Sequence, residues 1–354
     1  MLQINDTIKL KKSKTKSSLF LRLKETSLSS ALLSIMIIVV MILILVNPSR
    51  YAKSVTGGLK LFFTAVLPGL LPFMFLCKIL TEIDFFSKLS KPLNKPMQRF
   101  FGVGGYGFYA FLMSIISGYP LGSKITADLY SNGLLSKNEI TKTAIISSSS
   151  GLEFIVGVVG GLMFKSVKIG IIIYVSNILA VLIASLFIHL FSNKAHNTEN
   201  TTLVNNTASN KTKSQPNILK IFTNSAVDTS VGLLTVCFYI AIFSLVIDLL
   251  NDIKILSFIS NILSFSTPHK ELVSGSLSGI IEMTNGIKII SQNITPTSTA
   301  CASMLISFGG LSIIMQSLSF LSSVPIKKGL FFLGKILQAI LSFFICLIFS
   351  LLFL

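Results

Sequence analysis

The sequence contains no tryptophan and few charged residues, and acidic side chains are the scarcer of the two signs. Asp, Glu, Lys and Arg make up 12% of the 354 residues, about half the share found in soluble domains. Hydrophobic residues make up 51%, and the mean hydropathy is +0.78. This composition excludes an ordinary soluble domain. It predicts an all-α, polytopic membrane protein whose interfacial aromatic residues are Tyr and Phe.

Groups that bind metals or carry out catalysis are also scarce. The four cysteines and three histidines are scattered, with no CxxC pair and no Cys/His cluster, so we expect neither a disulfide nor a zinc site. No serine lies in a recognisable nucleophile elbow, and there is no P-loop. We therefore expect a protein that is not an enzyme and has no catalytic residue, metal or cofactor. Any transport would use a gradient rather than ATP.

The basic residues have a distribution typical of membrane topology. They outnumber the acidic residues by 30 to 13, which gives a formal net charge of +17. A nucleic-acid partner is rejected, because the lysines cluster in residues 1–26 and in short segments between apolar runs, as the positive-inside rule requires. We expect residues 1–26 to be a basic cytoplasmic segment. Leu28–Val46 is predicted to be a retained first span, since no small-residue cleavage site follows it.

A polar segment divides the apolar chain. Residues 193–217 are rich in Asn, Thr, Ser and Lys, a composition that predicts a disordered loop. This loop separates two membrane halves, residues 27–192 and residues 218–354. Lys60–Leu80 is predicted to be a span, and its prolines indicate either a kink or a functional break. Val231–Leu250 is also predicted to be a span, and a short amphipathic segment precedes it.

The two halves share a plan of interrupted apolar segments. Ser117-Gly118 corresponds to Ser278-Gly279, and Ser150-Gly151 corresponds to Gly309-Gly310. Two weakly similar halves with breaks at matching places predict about eight full or partial crossings and a transport site between the halves. Close packing of membrane helices on small residues is an alternative explanation of the same pattern.

The segment Ser117–Lys124 contains the clearest predicted break. Pro120 has no N–H group and clashes with the preceding turn, so an incoming helix should end near Gly118. A helix that begins near Gly122 would present free N–H groups and the positive end of its dipole. Broken helices at membrane depth are tolerated only inside protein or beside water. The pattern therefore predicts a substrate or ion site of a transporter.

Charged residues inside apolar runs are further candidates, because each costs about 2.5 kcal/mol or more at mid-membrane on insertion scales. Lys124 and Glu282 each lie at a predicted break, which favours a function. Asp128 could simply pair with Lys124 one turn away. Glu153 is either functional or a helix-start residue favoured by the dipole. Asp228 is predicted to be interfacial.

The predicted substrate-binding residues all lie at or beside the breaks: Ser117, Gly118, Tyr119, Gly122, Lys124, Glu282, Asn285, Gly309 and Gly310. Lys124 and the N–H groups near the glycines would neutralise carboxylates. Tyr119 could stack on a ring. Glu282 would bind a coupling proton or cation, or orient Lys124.

Three segments, taken together, resemble the YlbJ family: Ser117–Lys124, Gly279–Gly286 and Phe308–Ser312. These are sporulation integral membrane proteins of endospore-forming Firmicutes, with nucleoside-recognition (Gate) domains. The resemblance covers most of the chain after the basic segment, but not residues 193–217. Gate domains are similar to parts of concentrative nucleoside transporters. The resemblance therefore implies a fold with re-entrant hairpins and unwound helices.

The resemblance also implies a role in spore formation at the membrane around the forespore. It suggests movement of dipicolinic acid, a small anionic dicarboxylate, toward the spore, which needs it for a normal core and cortex. The expected partners are this substrate, the lipid bilayer and a coupling proton or cation. Two alternatives remain: a nucleoside carrier that uses Asn285 and Gln316, and a non-transporting scaffold for assembly of the spore envelope.

Overall fold

The computed structural model describes residues 30–83, 85–193, 218–264 and 270–354. These residues are mostly helical and contain no strand, which confirms the all-α class. The chain divides after Lys53 into two units, and the second, Ser54–Leu354, carries every contact discussed below. The predicted cytoplasmic segment 1–26 and all but the first residue of the predicted loop 193–217 lie outside the described residues.

The α-helices in these ranges are, in chain order, α1 (Ser30–Val46), α2 (Pro48–Glu82), α3 (Phe85–Phe101), α4 (Gly105–Ser117), α5 (Leu121–Ser131), α6 (Lys137–Ile146), α7 (Val167–Asn193), α8 (Ile218–Asp252), α9 (Ile255–Ser264), α10 (Lys270–Ile281), α11 (Met283–Ile290), α12 (Pro296–Phe308), α13 (Gly310–Phe320) and α14 (Lys328–Phe353). A π-helix, Glu153–Met163, lies between α6 and α7.

Five helices in the described ranges are long and apolar enough to cross a membrane. They comprise α2, α7, α8 and α14, together with the broken helix Pro296–Ser323. A sixth span arises if the end of α3 is counted with α4, although the two meet at an angle of 85°. These helices confirm a polytopic membrane protein. Several of the other apolar segments in the described ranges are short helices, of the kind that the expectation of about eight full or partial crossings included.

The pair α10–α11 shows this clearly. The two helices have 12 and 8 residues, or about 18 Å and 12 Å at 1.5 Å per residue. Neither could cross a hydrocarbon layer of about 30 Å. They pack on each other so closely that a Cβ on Gly286 would collide with the backbone of Gly279. The pair therefore forms a hairpin of half-length helices.

Several predicted boundaries were wrong. The predicted break around Ser278-Gly279 lies inside α10, and the chain leaves the helix later, at Glu282. Gly279 remains in the helix, and its lack of a side chain allows α11 to approach closely. The short entry predicted before Val231–Leu250 is continuous with that span in α8. The prolines in the predicted span Lys60–Leu80 do not interrupt α2, which instead contains a π-helical turn at Phe62–Val66.

Helices α7, α12 and α14 pack against one another at the centre of the second unit. Their contacts include small polar side chains, such as the hydroxyls of Ser303 and Ser342, which lie 2.7 Å apart. Hydroxyl pairs of this kind satisfy polar groups where no water is available. Short helices pack against this central group, as α6 does against α7 and α14.

Candidate substrate site at four helix breaks

Two of the helix breaks lie in the first half and contact each other through their backbones. Helix α4 ends at Ser117, and Gly118 has a φ of +84°, a conformation that favours glycine. A Cβ on Gly118 would lie 2.6 Å from the amide nitrogen of Gly151 in the second break. The amide of Ser149 donates to the hydroxyl of Ser114 at 2.9 Å. Glycine at position 118 thus permits the two interrupted backbones to meet.

The cis peptide Tyr119-Pro120 follows Gly118, and α5 begins at Leu121. The carbonyl of Ser147 occupies the space where a side chain on Gly122 would begin. The start of α5 therefore packs on the backbone that follows α6. The predicted break at Ser117–Lys124 is present, with its helix ends at the expected residues.

The second half also brings two breaks together. Glu282 has an extended backbone between α10 and α11, and its carboxylate accepts hydrogen bonds from the amides of Thr284 at 3.1 Å and Asn285 at 2.8 Å. Gly310 begins α13 with a φ of +70° and packs against the carbonyl of Gly279 and the amide of Met283. Glu282 therefore caps the N-terminus of its own short helix beside the break at Gly309-Gly310.

Tyr119 connects the breaks of the two halves. Its side chain is buried, and its hydroxyl donates to the carbonyl of Ile306 at 3.0 Å. The same hydroxyl lies 2.8 Å from the sulfur of Met283. Both contacts reach the second half, one beside Glu282 and the other within the last turn of α12. Tyr119 thus lies where a break of the first half meets both breaks of the second.

Asn177 in α7 makes a second connection. Its side-chain oxygen accepts a hydrogen bond from the Ser149 hydroxyl at 2.7 Å, and its amide donates to the Ser307 hydroxyl at 2.6 Å. All three side chains are buried. One serine precedes the break at Gly151 and the other precedes the break at Gly309. A single buried amide therefore links residues that lie just before a break in each half.

Lys335 is a site residue that the sequence reasoning missed. It lies in α14, is fully buried, and its ammonium donates to the carbonyl of Ser148 at 2.9 Å. The ammonium also lies 5.7 Å from the centroid of the Tyr119 ring. Gln338, one turn further along α14, donates to the carbonyl of Ile145 at 2.9 Å. The rule that charges inside apolar spans are costly would have selected Lys335 from the sequence.

Several buried polar atoms near the breaks have no hydrogen-bond partner among the described residues. They include the hydroxyls of Ser117, Ser123 and Ser148 and the side-chain oxygens of Gln316 and Gln338. Buried polar groups usually find partners, and those that do not are often matched by water or a ligand. These atoms give the region around the breaks unused hydrogen-bonding capacity.

Lys124, a predicted substrate-binding residue, lies in an ion-pair cluster. Its ammonium lies 3.8 Å from the carboxylate of Asp228 in α8, and it also donates to the backbone carbonyl of Asp228 at 3.4 Å. Lys78 in α2 contacts the same carboxylate at 2.9 Å. Lys124 therefore contributes to an ion-pair cluster between helices, and Asp228, although 44% exposed, is paired with two lysines.

Asp128, the partner first considered for Lys124, makes no ion pair within 4.0 Å among the described residues. It lies one turn beyond Lys124 in α5. Burial raises the pKa of Asp128, although the positive charges of Lys78 and Lys124 oppose this effect. The lysines thus influence Asp128 at a distance while Asp228 holds them directly.

The predicted site residues therefore fall into two groups. The breaks at Ser117-Gly118, Glu282 and Gly309-Gly310 lie together, with Tyr119 joining them. Gly122 packs at the edge of the same region. Asn285 donates its side-chain amide to the Ser244 hydroxyl at 3.1 Å and so faces α8. Lys124 also reaches α8, but through Asp228.

Glu153 is the first residue of the π-helix and is half-buried. Its carboxylate occupies the space beside Gly69 of α2. Glu153 therefore lies at a helix start, which is one of its two predicted placements and a position where the helix dipole favours a carboxyl group. Within the described ranges, no group of three or more His, Cys, Asp or Glu residues is placed to hold a metal ion.

Comparison with known proteins gives one informative relationship. No protein-family model matches the sequence, and no solved structure matches it. The chain is 26% identical to the sporulation integral membrane protein YlbJ of Bacillus subtilis (strain 168) over 303 residues. The aligned region covers 80% of this chain and 73% of that protein. With its five candidate spans, the chain is a multi-pass membrane protein. The similarity, which extends over most of both chains, supports membership of the YlbJ family of sporulation integral membrane proteins.

Proposed function

We propose that this protein is a gradient-driven carrier for a small organic anion, with dipicolinic acid as the first candidate, in the membrane that surrounds the forespore. It acts as a transporter rather than an enzyme. Its partners are the anion, the lipid bilayer and a coupling proton or cation. The observation that carries this proposal is the contact of Tyr119 with both breaks of the opposite half, at Met283 and at Ile306.

The physical reason lies in the exposed backbone at such breaks. Each interruption leaves N–H and C=O groups without helical partners, and these can bind a substrate that enters between the halves. Carriers built from two related bundles commonly bind substrate where half-length helices meet. The contact between helices α5 and α13, each of which begins immediately after a break, supports this arrangement.

The negative charge of the proposed substrate follows from the helix N-termini that meet between the halves. Helices α5 and α13 have no side-chain cap at their first turns. Free N-terminal N–H groups and the positive end of the dipole favour an anion. The similarity to a sporulation membrane protein supports a role in sporulation, and dipicolinic acid, a planar dicarboxylate, is the anion that the YlbJ resemblance suggests. Tyr119 offers an aromatic face at the same place.

Uptake into vesicles tests this function directly. The purified full chain is reconstituted into liposomes, and uptake of labelled dipicolinate is measured with an imposed proton gradient, sodium gradient or no gradient. We expect uptake above that of protein-free liposomes under one of the two gradients. Unlabelled dipicolinate should compete fully, and a neutral pyridine should not compete.

The same vesicles distinguish the alternatives. Uptake of labelled nucleosides without uptake of dipicolinate would replace the anion carrier with a nucleoside carrier. Absence of uptake of both, from protein that is monodisperse and folded, would contradict a carrier function and favour the scaffold. The variant Gly329→Ala is a suitable control for expression and reconstitution, because a Cβ at that position meets nothing within 4 Å.

A further inference from the structure

Lys335 is a buried lysine without a carboxylate partner among the residues that the structure describes. Its side chain is fully buried, and its one hydrogen bond is to a neutral group, the carbonyl of Ser148. An ammonium has three donors, so the carbonyl leaves two of them available. Its aromatic neighbour, Tyr119, offers only the face of its ring at 5.7 Å.

The position of Lys335 in α14 excludes a simple interfacial role. It lies seven residues after Lys328, which begins the helix, or about 10 Å along the axis. Lysines near helix ends usually extend their ammonium groups to the interface. Lys335 does not, because no part of its side chain is exposed. A charge held at this depth is costly and indicates either a function or a partner.

A purely structural role accounts for the hydrogen bond but not for the charge. The carbonyls of Ile145 and Ser148 lie at and just beyond the end of α6, where side-chain donors commonly satisfy them. Gln338 performs this task with a neutral amide one turn away. A second glutamine would serve equally well at position 335. The positive charge is therefore in excess of what the end of α6 requires.

We propose that Lys335 is the residue that binds a carboxylate group of the transported anion. This inference rests on the proposed carrier function and names the charge that recognises its substrate. The ammonium would exchange its unused donors for carboxylate oxygens, which are stronger acceptors than a neutral carbonyl. The unpartnered hydroxyl of Ser148 lies on the residue that already contacts Lys335, and that of Ser117 lies two residues before Tyr119. Both hydroxyls could complete the site.

Lys124 provides the natural comparison. Both lysines lie beside helix breaks, but Lys124 is already paired with Asp228, whereas Lys335 has no carboxylate partner in the described ranges. An incoming anion would have to displace Asp228 from Lys124. At Lys335 it would supply a missing partner. The structure therefore distinguishes two lysines that the rule of buried charge would treat alike.

Ligand binding by three variants tests this assignment. The full chain, in detergent, is heated with and without dipicolinate, benzoate and neutral pyridine, and affinity is obtained from the dependence of the unfolding temperature on ligand concentration. The variants are Lys335→Gln, which keeps a donor for Ser148, Lys335→Met, which has an apolar side chain, and Lys124→Gln as the matched control.

We expect dipicolinate to stabilise the unmodified protein and Lys124→Gln. Lys335→Gln, which keeps a donor for Ser148, should retain the unfolding temperature of the unliganded protein, and both Lys335 variants should lose about tenfold or more in affinity, as for loss of a hydrogen bond to a charged group. Neutral pyridine should stabilise none of them. Benzoate has a single carboxylate. A loss of benzoate affinity in the Lys335 variants would therefore support the assignment even if it were smaller than the loss of dipicolinate affinity.

Three results would overturn it. Equal affinity in the wild type and both Lys335 variants removes Lys335 from the site while leaving the carrier function intact. Failure of both Lys335 variants to fold assigns the ammonium to structure instead. Absence of any effect of dipicolinate and benzoate on the unmodified protein contradicts this assignment and the proposed anionic substrate together.

Discussion

The hydroxyl of Tyr119 donates to the backbone carbonyl of Ile306 across 3.0 Å, although the two residues are 187 positions apart. Ile306 lies in the last turn of α12, just before the break at Gly309-Gly310. One break of the first half is therefore held against one break of the second by a single buried hydrogen bond. Movement of one half relative to the other would have to lengthen or break this bond.

Replacing Tyr119 with Phe should affect transport more than stability. The variant removes one buried hydrogen bond, a loss of about 0.5–1.5 kcal/mol. Tyr174→Phe is a matched control, because the Tyr174 hydroxyl also donates to a backbone carbonyl at 3.0 Å, but to Ile115 within the first half. Similar unfolding temperatures for the two variants, with dipicolinate uptake altered only in Tyr119→Phe, are expected. Equal uptake in both would show that the contact between halves does not matter for transport.

Asn177 should be sensitive to replacement by an apolar residue of similar size. Asn177→Leu leaves the buried hydroxyl of Ser307 without its partner, and the hydroxyl of Ser149 keeps only a long hydrogen bond of 3.4 Å to the carbonyl of Ser150. Each buried polar group left unsatisfied costs about 1–3 kcal/mol. We expect a lower unfolding temperature in detergent than for Ser303→Ala, in which the hydroxyl of Ser342 keeps a backbone carbonyl as acceptor. An Asn177→Leu variant as stable as the unmodified protein would contradict this accounting.

The ion pairs of Asp228 should differ in strength. Its carboxylate lies 2.9 Å from Lys78 and 3.8 Å from Lys124, and its partial exposure limits each pair to roughly 0.2–1 kcal/mol. A double-mutant cycle of Asp228→Asn with Lys78→Gln should therefore give a larger coupling energy than the cycle with Lys124→Gln. Raising the ionic strength should reduce both. A larger coupling for Lys124 would show that the shorter pair is not the stronger one.

Close approach of backbones predicts which glycines tolerate a methyl group. A Cβ on Gly122 would collide with the carbonyl of Ser147, whereas a Cβ on Gly329 meets nothing within 4 Å. Gly122→Ala is expected to lose about 1–3 kcal/mol through forced shifts of packed groups, with low yield of monodisperse protein. Gly329→Ala should be neutral or slightly stabilising, because alanine is the better helix former. Equal yields and unfolding temperatures would argue against the contact between α5 and the end of α6.

Asp128 should make stability fall as the pH rises. Burial raises the pKa of Asp128 despite Lys78 and Lys124, so the folded protein holds this proton more tightly than the unfolded chain. Stability contributed by the protonated form is then lost as the pH rises from the ordinary range of aspartate through the raised pKa. Asp128→Asn should be more stable than the unmodified protein at neutral pH. The difference in unfolding temperature between Asp128→Asn and the unmodified protein should narrow as the pH falls into the acid range. A difference that stays constant across pH would contradict a raised pKa of Asp128.

Much of the fold could be read from local chemistry. Gly118 and Pro120 cannot continue a helix, and the chain leaves the helix where they lie. The break at Gly309-Gly310 was recognisable for the same reason. Ser278-Gly279 looked similar in sequence but remains helical, because there the glycine accommodates a neighbouring helix. A glycine in the sequence does not by itself indicate whether it ends a helix or allows a neighbouring helix to pack closely.

Which lysine lacks a counter-ion could not be predicted in this way. Lys124 and Lys335 both lie in apolar surroundings, and their partners come from helices far away in the sequence. The composition and the order of apolar segments by themselves determined a helical membrane protein with interrupted spans, since burial in lipid requires every backbone group to be satisfied locally. Only the tertiary structure decided that Asp228 neutralises Lys124 and that Lys335 stands beside Tyr119, because electrostatic pairing depends on distances that packing between helices sets.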